Sequence, residues 1–308
     1  MGGKDGSSAQ MFPSVWRGDF RSKAEFDATA GHRAAAFEVF DWLDDRVLFS
    51  RHPFTYKAYC AACDAVSAMR VGWEFGGAGA RGSVHPAWTE TVACGTCHLN
   101  SRMRALIDFL KTRTDLSAVS RAYAAEQTTP SFRVLQRLLP SLAGSEYLGP
   151  QFKSGETRLH ARNALNVQRV RHEDLTALSY ADAAFELAIT QDVFEHVPDY
   201  RKAFAELARV LTPDGRLVFT IPFFSDLAAT RVRAKVGPEG VTHLLPAEIH
   251  GNPVSSEGSL CFQNFGWDIL DDLRSSGFAD AFGSLYWGPW QGHLGFPFFV
   301  FCASKGAC

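Results

Sequence analysis

The pattern that organises the chain lies in Ala184–Phe223, where blocks of apolar and polar residues follow one another in a fixed order. Phe185 to Ile189 is an apolar run long enough for one buried strand. It stops at Thr190-Gln191-Asp192, and Glu195-His196 follows. Asp199 then stands as an N-cap ahead of Tyr200–Leu211, where Phe204, Leu207, Ala208 and Leu211 recur at helical spacing. Pro213-Asp214-Gly215 ends that helix, and Leu217–Ile221 reads as a second buried strand. Strand, polar tip, helix, turn, strand is a βαβ unit, so the pattern predicts a parallel sheet covered on both faces. Ligands of such sheets bind outside the carboxyl ends of the strands, which places Gln191, Asp192, Glu195 and His196 beside a crevice.

The same reading extends to both sides of the unit. Ser22–Phe49 carries Phe26, Ala30, Phe37, Phe40 and Leu43 at helical intervals and predicts a packing helix. Val66–Glu74 and Trp88–Val92 read as short strands, and Leu99–Leu110 as a helix whose Arg102 and Arg104 form a solvated face, favoured over a substrate clamp. Ala122–Ala125 predicts a strand ending at Glu126, and Thr128-Thr129-Pro130 a helix start with proline in the first turn. Ser141–Tyr147, with Glu146 near its end, and Asn166–Arg171, followed by His172-Glu173-Asp174, are further strands. Val241–Pro253 reads as an irregular segment containing His243 and His250. Trp267–Leu273 is helical, and Tyr286–Phe301 supplies a closing pair of strands. Three segments result: a Gly/Ser-rich disordered tail over 1–20, a helical and cysteine-bearing module over 21–115, and an α/β domain over 116–308.

Composition narrows the classes. The 308 residues are 46% hydrophobic and 21% charged, as in ordinary soluble proteins. The formal net charge of −2 gives no footprint of a general nucleic-acid or membrane-surface binder. No apolar run approaches the roughly 18 residues that span a bilayer. The start, MGGKDGSSAQ, lacks the apolar core of a signal peptide, so the cytoplasm is the expected location.

Four of the seven cysteines fall in two C-x-x-C pairs, Cys60/Cys63 and Cys94/Cys97. Each tight turn aims two thiolates at one point, and two such knuckles joined by strands predict a zinc ribbon holding a structural, tetrahedral ion. A glycine-rich loop, GGAGARG, accounts for the length between them. A redox role for one pair remains the alternative, and it leaves the second pair unexplained. His98 reads as a bystander.

FELAITQDVFEHVPD, followed by AFAELARVLTPDGRLVFTIPF, resembles the second half of class I S-adenosylmethionine (SAM)-dependent methyltransferases. Glu186 stands where that pattern has Asp, and Asp214-Gly215 where it has Gly-Gly. The resemblance implies a Rossmann-like sheet with helices on both faces and an enzyme acting with SAM. It implies that Glu146, twenty residues after Glu126, meets the ribose hydroxyls. Asp174 matches the position that contacts the adenine amine, and Gln191 and Asp192 lie beside the methionine portion. The family's glycine-rich loop after the first strand is missing, and EQTTP occupies its place. Either this chain binds SAM with a different first loop, using Glu126 and the amides of the following helix start, or the domain has lost SAM. Acidic residues at three strand ends favour the first.

Methyl transfer to an O–H, N–H or activated C–H acceptor needs a base near the methyl group. His250 falls where this fold builds its acceptor pocket and is the first candidate; His196 is the second and His243 the third. The expected function is methyl transfer to a small or medium-sized molecule, in secondary-metabolite or sugar metabolism. The alternatives are an RNA methyltransferase, with Arg70, Arg81, Arg102, Arg104 and Lys111 as a basic stripe, and a non-catalytic binding module.

Overall fold

The computed structural model describes residues 16–78, 84–163 and 166–306. The chain folds into two compact units. One contains Ala24–Asp115 and Ser284–Val300 together with the described residues up to Phe20, and the other contains Arg21–Lys23, Leu116–Gly283 and the chain from Phe301 onward. Among the described residues no helix is long and apolar enough to cross a membrane.

The larger unit is built on β1 (Ala122–Ala124), β2 (Leu142–Gly144), β3 (Asn166–Arg171), β4 (Phe185–Gln191), β5 (Leu211–Thr220), and the parts of β6 (Asp280–Gly288) and β7 (His293–Ser304) that fall within it. Its strand order is β2-β1-β4-β5-β7-β6. A parallel bridge from Glu146 to His172 brings the end of β3 alongside the end of β2. The β2–β1, β1–β4 and β4–β5 pairings are parallel, and β7 runs antiparallel to β5. Leu187, Ala188, Ile189, Leu217, Val218 and Phe219 are all buried, which is why β4 and β5 read as apolar runs rather than alternating ones. Helix α1 (Pro130–Leu138) follows β1, helix α2 (Tyr200–Val210) joins β4 to β5, and α3 (Ile269–Ser275) precedes β6. Thr129 Oγ1 caps α1 by accepting from Phe132 N at 3.0 Å, and Asp199 caps α2 through Lys202 N at 3.2 Å. Phe204 of α2 packs edge-on against Phe194, which meets Phe219 of β5 in the same way.

Several sequence expectations change. Residues 1–15 of the expected tail lie outside the described residues, and Trp16–Phe20 is a strand, with Asp19 accepting from Ser284 Oγ at 2.7 Å. Ser22–Phe49 is two helices, Lys23–Ala28 and Ala30–Val47, because the Thr29 side chain bonds back to the Phe26 carbonyl between them. Trp88–Val92 is no strand: Trp88–Thr91 is a helical turn, closed by Thr91 N on the Ala87 carbonyl at 2.8 Å, and the strand is Val92–Cys94. The segment read as irregular forms two hairpin arms. Gly240–His243 pairs with Ala234–Gly237, and Ile249–Asn252 with Ser255–Leu260.

The smaller unit contains a three-stranded antiparallel sheet, Phe54–Cys60, Ala65–Val71 and Val92–Cys94. Ala58, Met69, Val71, Trp88, Val92 and Leu294 form its core around Cys60 and Cys94.

Candidate functional site

In the order β2-β1-β4-β5 the connections leave β1 in opposite directions, toward β2 on one side and β4 on the other. Crevices open at such switch points, outside the carboxyl ends of the strands. Glu126 follows β1 and Gln191 ends β4, and the two side chains meet there: Gln191 Nε2 donates to Glu126 Oε1 at 2.6 Å. The same nitrogen donates to Ser131 Oγ, and Thr129 Oγ1 donates to Glu126 Oε2. Gln191 Oε1 is buried with no hydrogen-bond partner. Burial pushes the Glu126 carboxyl up to about 6, against the lowering effect of its hydrogen bonds to Thr129 and Gln191.

Glu146 grips the loop after β1. Its Oε1 accepts from Gln127 N, Thr128 N and Thr128 Oγ1, each at 2.8 Å. The one glycine the junction requires is on β2 instead: a Cβ on Gly144 would lie 2.5 Å from the Phe132 ring and 2.8 Å from the Glu126 carbonyl oxygen. Asp174 is turned to its own backbone, where Oδ1 accepts from Thr176 N and Thr176 Oγ1 at 2.8 Å. Asp192 adopts a left-handed conformation, φ 50°, held by its N–H on the Thr220 carbonyl at 2.9 Å and by Thr220 Oγ1 on Oδ1 at 3.0 Å. Glu126, Gln191 and Glu146 therefore share one mouth, while Asp174 braces the turn after β3.

Both leading histidine candidates come together around Glu195. Glu195 Oε1 lies 3.6 Å from His196 Nε2 and 3.7 Å from His250 Nδ1. The imidazoles stand edge to face with ring centres 5.0 Å apart. His196 Nδ1 bonds the Leu260 carbonyl at 2.9 Å, and His250 Nε2 bonds Glu248 Oε1 at 2.9 Å. Burial raises the Glu195 carboxyl, and the adjacent Glu195 carboxylate is the first cause raising His250. Burial lowers His196. His250 lies on a strand and not on a loop, and His243 is on an exposed arm away from this group. Glu248 is a site residue that the sequence reading misses, and Glu195, which it places beside the crevice, is given no role there. The signals for them are an acidic residue next to His196 after a buried strand, and Glu248 two residues from His250, the spacing that puts both on one face of a strand.

In the smaller unit Cys60, Cys63, Cys94 and Cys97 form one cluster. The Sγ–Sγ distances are 3.7 Å for Cys60–Cys97 and 3.8 Å for Cys63–Cys94. Four sulfurs at about 2.3 Å around a tetrahedral ion would stand about 3.8 Å apart, so the donor set fits zinc. Thr96 N donates to Cys94 Sγ at 3.4 Å, as backbone amides do to a metal-bound thiolate. His98 is exposed, with φ 63°, and is outside the cluster. Arg104 is fully buried rather than solvated and donates to the Val92, Gln291 and Gly292 carbonyls. Arg102 pairs with Glu90 at 3.0 Å, Lys111 bonds the Ala61 carbonyl at 3.0 Å, and Arg81 lies outside the described residues.

A family model described as a methyltransferase domain matches residues 91–219. The match covers less than half of the chain, and the strand order with its antiparallel β7 gives the larger unit a Rossmann-like sheet. The demethylmenaquinone methyltransferase of Thermus thermophilus is 36% identical over 77 residues, which is 25% of this chain and 34% of that protein. The match thus spans about a third of the curated relative's length. Among solved structures, the 1,6-didemethyltoxoflavin-N1-methyltransferase of Burkholderia thailandensis, with bound 1,6-didemethyltoxoflavin and S-adenosylhomocysteine, is similar at TM-score 0.37 and 16% identity, over 67% of this chain and 78% of that one. An S-adenosylmethionine-dependent methyltransferase from Mesorhizobium loti is similar at TM-score 0.39 and 17% identity, over 65% and 97%.

Proposed function

We propose that the larger unit binds SAM at the β1/β4 switch point and transfers its methyl group to an O, N or C atom of a small or medium-sized acceptor. The observation that carries this reading is the Glu126–Gln191 contact at the switch point, with Gln191 Oε1 left buried and unpartnered. A carboxylate and an orphaned carbonyl oxygen side by side suit a cationic group, and SAM brings an ammonium and a sulfonium. Glu126, Gln191 and Asp192 would hold the methionine end. Glu146 contributes its second oxygen to the ribose while its first secures the loop, and Asp174 shapes the adenine end. SAM supplies an electrophilic methyl carbon when bound; the protein's part is to orient the acceptor in line with it and to take up the acceptor's proton. That proton leaves at the His196–His250 side of the crevice.

The four cysteines hold a structural zinc, which leaves no open position for chemistry. Free thiols in that cluster agree with work in the reducing cytoplasm. Isothermal calorimetry of the full chain with S-adenosylhomocysteine tests the central claim. One saturable site per chain is expected, and absence of binding at millimolar ligand would leave the fold without the enzyme.

A further inference from the structure

The group around Glu195 has the features of a ligand set rather than of a simple acid–base pair. Glu195 is fully buried, and neither carboxylate oxygen has a hydrogen-bond partner. A carboxylate left so is strongly unfavourable unless something positive meets it. The imidazole nitrogens facing it stand 3.6 and 3.7 Å from Oε1, too far for hydrogen bonds. Two donors each about 2.1 Å from one cation would stand about 3.0–3.4 Å apart, so closure by a few tenths of an ångström completes the set.

The remaining atoms of both rings are already committed in the manner of metal-bound histidines. The Leu260 carbonyl takes His196 Nδ1–H, which leaves Nε2 with a lone pair toward Glu195. Glu248 takes the Nε2–H of His250, which leaves Nδ1 facing the same point. Glu248 is itself anchored by Arg233 Nη2 at 3.1 Å, so it orients His250 rather than competing for the ion. Cys261, which lies beside Glu248 and His250, donates its thiol to the Gln263 carbonyl at 3.2 Å and keeps its proton. The His250 side chain is 29% exposed, so the open side of the set reaches solvent.

We propose that Glu195, His196 and His250 form a divalent-cation centre, with the Glu195 carboxylate, His196 Nε2 and His250 Nδ1 as ligands and positions left open for an acceptor oxygen. Two imidazoles and a carboxylate suit Zn²⁺ and accept Mn²⁺. Ion binding stands on this geometry alone; the role of the ion rests on the methyl-transfer reading. An acceptor hydroxyl on the ion would release its proton to water more readily. The oxygen lone pair then forms the O–CH₃ bond, the C–S bond breaks, and its electron pair stays on sulfur as S-adenosylhomocysteine.

The test is titration of the full chain, carrying its cysteine-bound zinc, with Mn²⁺ followed by electron paramagnetic resonance, and separately with Zn²⁺ by calorimetry. One saturable ion per chain beyond the cysteine-bound zinc is expected for either metal. Affinity should fall at least tenfold in His250→Ala and His196→Ala, and about tenfold in the positioning variant Glu248→Gln. Glu195→Gln, which preserves shape, should also lose the ion while its circular dichroism matches the parent. Failure of both metals to bind, or binding undiminished in both histidine variants, overturns the proposal. S-adenosylhomocysteine calorimetry on the same proteins keeps the two readings apart: if the parent binds the ion and not this ligand, the methyl-transfer reading fails alone.

Discussion

Glu146 Oε1 accepts both the backbone N–H and the hydroxyl of Thr128, each at 2.8 Å. One carboxylate oxygen at the end of β2 thus fixes the loop after β1, with Gln127 N as a third donor. Removing it in Glu146→Ala leaves these donors buried without a partner, at a cost of about 2–3 kcal/mol. Glu146→Gln keeps an acceptor oxygen and should lose about half as much. Urea unfolding of the two variants checks the order, and a Glu146→Ala protein as stable as the parent would show that the loop holds itself.

Glu126 gives the larger unit a pH signature. Its carboxyl is raised from 4.5 to about 6, chiefly by burial. The stability it contributes is therefore complete below about 4.5 and is lost as pH rises through about 6. A cationic ligand group favours the ionised form, so binding S-adenosylhomocysteine near pH 5.5 should expel a proton. Calorimetry in buffers of different ionisation enthalpy should read that proton near pH 5.5 and little above pH 8. Glu126→Gln should abolish it; a parent protein with no proton release at pH 5.5 would remove Glu126 from the ligand's surroundings.

The βαβ unit is legible in the sequence because local signals agree there: an apolar run, an Asp199 cap and a Pro-Asp-Gly stop each point the same way. The cysteine cluster is legible because C-x-x-C spacing is a local property that the fold only brings together. What escapes depends on long-range contact. Arg104 has the look of a helix-surface cation, but the Gln291–Gly292 turn, far along the chain, offers it carbonyls in the interior. Glu195 reads as a polar residue beside the crevice, but its partnership with His250 does not, since His250 reaches it only through the hairpin that carries Leu260 and Glu248. The composition around Trp88 favours a strand, and the burial of its ring against Gly295 overrides that preference.

Cys60 is fully buried in the core of the small sheet, where it packs with Met69, Val71 and Val92. Cys60→Ser should release close to one equivalent of zinc per chain, as measured by plasma emission spectrometry. Structural zinc is part of the folding free energy of such modules, so the unit should lose several kcal/mol and melt at lower temperature. Chelation of the parent should produce the same loss. A parent protein purified without zinc, and stable without it, would leave the cysteines as a cluster of buried thiols.

Asp44 sets the opposite trend to most carboxylates within the smaller unit. It is 2% exposed, with Oδ2 accepting from Gly295 N at 2.8 Å and Oδ1 without a hydrogen-bond partner. Burial pushes its pKa from 3.8 up to about 8, and nearby Asp41 and Asp45 add to the rise. The folded chain then holds a proton that the unfolded chain has released, so stability falls as pH climbs from about 4 to about 8. A tenfold difference in proton affinity between the folded and unfolded chain is worth about 1.4 kcal/mol, so the loss over that range amounts to a few kcal/mol. Asp44→Asn cannot ionise and keeps an oxygen for Gly295 N. It should match the parent at pH 4 and exceed its stability by a few kcal/mol at pH 9. Taking the difference between the two proteins at each pH cancels every other titrating group. Equal differences at pH 4 and pH 9, from urea midpoints, would mean that Asp44 is charged in the folded chain throughout.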